Sequence, residues 1–117
     1  MQIMINIDDF RKLDIRVAKV LEASAHPNAD RLLVIRTDIG GGETRQVVAG
    51  IKKCYAPEQL VGKSVIMLCN LEPAVLRGVE SQGMILAASY GADPKAEDFQ
   101  IVVLTTEKEL PAGVKVS

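Results

Sequence analysis

Histidine, tryptophan and aromatic side chains are scarce in this chain, and each scarcity removes a class of function. Among 117 residues there are one histidine, no tryptophan, two tyrosines and two phenylalanines. His26 precedes Pro27 and has no acidic neighbour in sequence to orient it as a general base, so a turn is its expected role. Phe10, Tyr55, Tyr90 and Phe99 are too few for the stacking platform of sequence-tolerant single-strand binders. Cys54 and Cys69 stand 15 positions apart, outside metal-binding spacings, and read as free thiols of a reducing, cytoplasmic compartment. Cys54 follows two lysines, but no histidine near it in sequence completes an activated pair. No apolar run approaches the ~20 residues of a membrane span. Met1 to Ile7 lacks the basic region and long apolar stretch of a secretory signal. Gly-rich phosphate loops, a Walker lysine and a nucleophile elbow are absent too. No catalytic residue, metal ligand or cofactor is therefore expected.

What is present suits one domain. Apolar residues make up 48% of the chain, enough for a core, and residues 1–117 show no linker, repeat or low-complexity tract. The core of the domain is expected at about residues 8–105, with apolar terminal extensions (1–7 and 100–116) outside or at its margin. Net charge is −1, but unevenly spread. Residues 11–77 hold eleven Lys/Arg against seven Asp/Glu, whereas residues 78–117 hold three against six. A basic face is compatible with that polarity, as is an ordinary solvated surface.

The hydrophobic pattern predicts an all-β domain. Asp14 to Glu22 reads as a strand whose parity slips between Val17 and Val20, the mark of a β-bulge. Leu33, Ile35, Thr37 and Ile39 share one face of a second strand. Gly40-Gly41-Gly42 turns the chain into a third strand over 44–49. Pro57, Glu58 and Gly62 mark the start, positive end and stop of a short helix. Lys63 to Asn70, Gly83 to Ala88 and Gln100 to Leu104 complete the strands. Three strands, a short helix and two strands follow the order of a five-stranded OB-fold barrel. A small SH3-like barrel or a split β-sandwich competes, and the helix position favours the OB order.

With few aromatics, any RNA contact is expected through phosphate, 2′-OH and shape. Asn70, Ser81 and Gln82 lie at strand ends and carry groups that both donate and accept hydrogen bonds. They could read a base edge or ribose, or simply cap strands. Arg45, Lys52 and Lys53 flank the third strand and are candidate phosphate contacts, with Arg31 and Arg77 in the neighbouring loops; Arg16, Lys19 and Arg36 are weaker ones. Asn28 and Asp30 favour turns and are expected to shape the first hairpin.

Several ordered blocks add a resemblance. They are 7–17, His26-Pro27-Asn28-Ala29-Asp30-Arg31-Leu32, 46–51, 57–63, Asn70-Leu71-Glu72-Pro73 and Glu80-Ser81-Gln82-Gly83-Met84. Together they resemble the tRNA-binding OB domain appended to many methionyl-tRNA synthetases and also found as free-standing proteins. The resemblance implies a non-catalytic barrel that binds folded tRNA with little base specificity and assists aminoacylation. It places Asn28, Asp30, Arg31, Ser81, Gln82 and Met84 in the family's most recognisable blocks, with Ser81, Gln82 and Asn70 expected to touch nucleotides. It also implies a homodimer through the terminal regions. Glu72-Pro73-Ala74-Val75-Leu76 is less basic than the family pattern. The alternative on the same barrel is a dimeric, peptide-binding export chaperone.

Overall fold

The computed structural model describes residues 2–117; Met1, the first residue of the expected N-terminal extension, lies outside the described residues. The chain runs α1 (Ile7–Arg11), β1 (Ile15–Ala25), β2 (Leu33–Gly40), β3 (Glu43–Ala49), α2 (Pro57–Leu60), β4 (Ser64–Leu68), β5 (Ala74–Leu76), β6 (Val79–Ser81), β7 (Met84–Ile85), β8 (Ala87–Tyr90), β9 (Gln100–Val103) and β10 (Lys115–Val116). The main sheet has the antiparallel order β3-β2-β1-β4-β7. It curls until β6 and β7 lie against β3, giving an OB-fold-like barrel.

β1 is long because it serves two neighbours. Ile15 to Lys19 pair with β4, and Lys19 to Ala25 pair with β2. The β2 register shifts between Val20 and Glu22, so the bulge sits at Leu21. The parity slip in the sequence has its counterpart here, but burial changes phase earlier: Ile15, Val17, Ala18 and Val20 are all buried. Just before β4 begins, Val20 N–H donates to Lys63 O at 2.9 Å and Val20 O accepts from Gly62 N–H at 2.9 Å. These bonds tie the α2 exit to the bend of β1.

α2 is one turn, with Pro57 near its start and Gln59 Oε1 accepting the Ala56 N–H at 2.7 Å. Leu60 is its buried residue, and the turn packs on β1. The core joins Leu60 to Val20, Leu33, Ile35, Ile39, Val47, Val65 and Met67. Thr37, fully buried among them, donates to Arg45 O at 3.2 Å, so its hydroxyl is satisfied.

The C-terminal segment closes on its own barrel. Gly113 N–H donates to Val17 O at 2.7 Å, Val17 N–H donates to Val114 O at 2.8 Å, and β10 pairs with Ile15 and Arg16. β4 already occupies one edge of β1 there, so β10 takes the edge that β2 occupies further along. This seating needs Gly40, where an added Cβ would stand 2.6 Å from Gly113 Cα and 2.9 Å from Ala112 O.

Three features depart from the expected layout. The segment 74–81 forms a hairpin, β5–β6, where only a loop is expected. The fifth strand divides into β7 and β8, and β8 leaves the barrel to pair with β9. A short helix, α1, precedes β1, with a reciprocal capping box between Asn6 and Asp9.

Candidate nucleic-acid interface

In an OB barrel the ligand edge is framed by the loop between the first two strands and the loop before the last. Here these are residues 26–32 and 69–83, and the fold brings them together. His26 is 4% exposed. Its Nδ1 accepts the Asn28 N–H at 2.9 Å, which leaves the proton on Nε2 to be donated to Leu76 O at 2.9 Å. Asn28 Nδ2 reaches Arg77 O at 3.5 Å. The lone histidine therefore joins the β1–β2 turn to the β5–β6 hairpin, with Asn28 bonded at the same corner. Within the hairpin, Arg77 has φ +52° and Gly78 φ +87°, two positive values as a type I′ turn requires. Arg77 is the one non-glycine residue with positive φ among the described residues.

The 80–84 block is a clasp. Ser81 is 6% exposed. Its Oγ accepts Val48 N–H at 2.9 Å and donates to Gly83 O at 3.2 Å. Gln82 N–H donates to Gln46 O at 2.7 Å, and Gln82 Oε1 accepts Gln46 N–H at 3.0 Å. Gln46 Nε2 donates to Glu80 O at 2.8 Å. These bonds close the barrel seam along β3, whose strand ladder is with β2. At Gly83 an added Cβ would lie 2.8 Å from Leu68 O and 2.6 Å from Met67 Cε, so only glycine passes. Asn70 is a second tie: Oδ1 accepts Asp14 N–H at 2.9 Å and Nδ2 donates to Lys12 O at 2.7 Å. The hydroxyl of Ser81 and the amide of Asn70, expected to face nucleotides, are engaged by the protein's own backbone. Met84 is half exposed and lines a largely apolar cleft with Val48, Leu71, Ala74 and Leu76.

The basic residues divide into two groups. Arg31 and Arg77 are exposed and border one cavity with Ala29, Asp30 and Leu32. Lys52 is exposed beside them, its N–H donating to Arg31 O at 3.4 Å. Lys53 turns away, its ammonium bonded to Ala96 O. Arg45 lies four residues along the ladder from the Leu33–Ala49 pair, roughly 13 Å at ~3.3 Å per residue. There it pairs with Glu43 at 2.9 Å. Arg16 clamps Asp14 at 2.8 Å at the same pole. The arginine hydrogen bond and charge hold the Asp14 carboxyl below its ordinary range, the same bond raises Arg16, and burial pushes the nearby Cys69 thiol up. Sequence reasoning missed His26 as the corner tie, Gln46 as Gln82's partner and the β5–β6 hairpin, for which Arg77-Gly78 is only a weak turn signal.

A family described as "Putative tRNA binding domain" matches residues 15–115, nearly the whole barrel. The chain belongs to the tRNA-binding domain family. The domain is 48% identical over 112 residues to a methionine–tRNA ligase of Thermococcus kodakarensis, covering 96% of this chain and 14% of that protein. It is 50% identical over 113 residues to the methionine–tRNA ligase of Thermotoga maritima, covering 97% of this chain and 17% of the other. The domain therefore spans a small fraction of the length of these curated relatives. A methionyl-tRNA synthetase-related protein from Pyrococcus horikoshii superposes with a TM-score of 0.85 at 32% identity, over 99% of this chain and all of the other. A chaperone, CsaA, from Bacillus anthracis superposes at 0.81 and 32%, over 98% of this chain and all of the other.

Proposed function

We propose that the domain binds folded tRNA on the corner formed by residues 26–32, Lys52 and the β5–β6 hairpin, performs no chemistry itself, and assists aminoacylation by a methionyl-tRNA synthetase, either attached to it or as its partner. The observation that carries this reading is the grouping of Arg31, Lys52 and Arg77, free of intramolecular ion pairs among the described residues, on the ligand edge of an OB-like barrel. Cations with no internal partner remain available to phosphates. In this arrangement Ser81 and Gln82 hold the seam beside the corner, Asn70 ties the start of β1, and Met84 offers an apolar surface to a base or ribose. Cytoplasmic location fits the two free thiols. No helix among the described residues is long and apolar enough to cross a membrane.

Homodimerisation belongs to the same proposal. Ile3, Met4, Ile5 and Ile7 are 60–89% exposed, and Tyr90 on β8 is 79% exposed. Such apolar side chains are suited to covering by a second copy, which would present two RNA corners at once. β10, by contrast, already pairs within its own barrel.

The test titrates labelled folded tRNA at about 50 and 200 mM salt, beside an unstructured RNA of equal length. Preference for tRNA, falling steeply with salt, is expected from counterion release. The chaperone reading rests on the apolar cleft of about 140 Å³ around Val48, Leu71, Leu76 and Met84, and on the CsaA-like structures. Salt-independent binding of unfolded peptides without tRNA preference would favour it instead.

A further inference from the structure

The cavity of about 300 Å³ between the β1–β2 turn and the hairpin tip contains a group that phosphate binding does not explain. Asp30 lines it together with Arg31 and Arg77, and Ala29 and Leu32 supply apolar wall. Although Asp30 adjoins two arginines, no ion pair or side-chain hydrogen bond within the described residues engages any of the three side chains. A carboxylate among phosphate-binding cations opposes phosphate, so its presence there calls for a ligand that also offers hydrogen-bond donors.

Both walls are held in place before any ligand arrives. His26 bonds the turn to Leu76 O, Asn28 reaches Arg77 O, and Arg77 occupies a backbone region that non-glycine residues rarely adopt. Rigid walls reduce the ordering cost of binding.

We infer that the cavity takes one unstacked guanosine of the bound RNA, with Asp30 accepting from the base N1–H and N2–H₂ and Arg31 and Arg77 pairing with flanking phosphates. Guanine alone among the four bases presents two adjacent donors on its Watson–Crick edge, matching the two oxygens of a carboxylate. Adenine and cytosine set an acceptor beside the amino donor, and uracil sets its one N–H between two carbonyls. Unstacked bases are the part of a folded RNA that side chains can read on that edge. The inference rests on the tRNA reading above and adds one base-selective position to an otherwise sequence-tolerant surface.

The experiment follows backbone amide resonances of the labelled domain during titration with GMP, inosine 5′-monophosphate (which lacks the N2 amine) and AMP. GMP is expected to shift the amides of 29–32 and Arg77 and to bind about tenfold more tightly than the other two, the scale of one bidentate base contact. Asp30→Asn, at an exposed position, should keep the folded spectrum and lose the preference. Arg77→Gln should weaken all three nucleotides alike. Equal affinities, shifts located elsewhere, or a preference that survives Asp30→Asn would overturn the inference. A parallel titration with folded tRNA separates the two readings. Binding of tRNA without guanine preference leaves the tRNA reading intact and removes the guanine pocket. Guanine preference without tRNA binding removes the RNA role and, with it, the inference as stated.

Discussion

The two poles of the barrel carry similar numbers of arginines and use them in opposite ways. At the pole of Asp14, Arg16, Glu43 and Arg45, each arginine is paired, at 2.8 Å and 2.9 Å. At the pole of Arg31, Lys52 and Arg77 no such pair forms among the described residues. A paired cation has already exchanged its water for a carboxylate and gains little from a phosphate. An unpaired one gains the full interaction and releases counterions from the RNA. Counting basic residues, or locating them in sequence, therefore says less about an RNA surface than asking which of them the fold leaves without a partner.

Four experiments sharpen this comparison. Gly83→Ala should have the largest effect, because its Cβ would meet the Leu68 carbonyl at 2.8 Å and force the seam open. A loss of roughly 1–3 kcal/mol in denaturant unfolding is expected, as for other overpacked sites, with tRNA binding weakened at the unpaired pole. Ser81→Ala leaves Val48 N–H without its acceptor and should reduce stability by about 1–2 kcal/mol. Weakened tRNA binding with an unchanged unfolding midpoint would instead make Ser81 a direct contact. Arg31→Ala and Arg77→Ala together should lower tRNA affinity about tenfold near 0.1 M salt and reduce the salt slope by about one per lost contact, whereas Arg45→Ala should change affinity less than about twofold. Equal losses from both poles in a binding titration would dissolve the distinction drawn here.

The smallest expected effect is a pH dependence confined to the paired pole. Arg16 lowers the Asp14 carboxyl, so the pair's contribution is fully present above the ordinary carboxylate value of about 4 and is lost as pH falls through the lowered folded value. Thermal unfolding of Asp14→Asn should therefore depend less on pH than the parent below about pH 4. Both side chains are partly exposed, so solvent screening keeps the difference small.

The strands that read well in sequence are those with long, regular patterns. Leu33 to Ile39 alternates without a break and folds as β2, and Pro57 with Gly62 brackets α2 closely. The β5–β6 hairpin was not legible because its strands are three residues each and largely exposed. Its tie to His26 comes from a residue 50 positions away, which no local pattern reports. α1 was legible in principle, since Asn6 and Asp9 spell its capping box, but five residues give too little periodicity to notice. The Ser81-Gln82-Gly83 block was conspicuous in sequence, yet its polar groups matched a nucleotide reader and a seam clasp equally well. Gln46 and Val48, which engage the block across the seam, come from a strand more than thirty positions away that no local pattern reports.

The sequence by itself determined the order of the main strands and α2: apolar alternation, turn glycines and a proline-started helix are local properties that each segment carries wherever it sits. It also determined which family the chain resembles, since ordered blocks survive without coordinates. The tertiary structure decided which polar groups remain open. Ion pairing and hydrogen bonding depend on residues brought within about 3 Å from distant parts of the chain, and that proximity is set by how the sheet curls, not by any one strand.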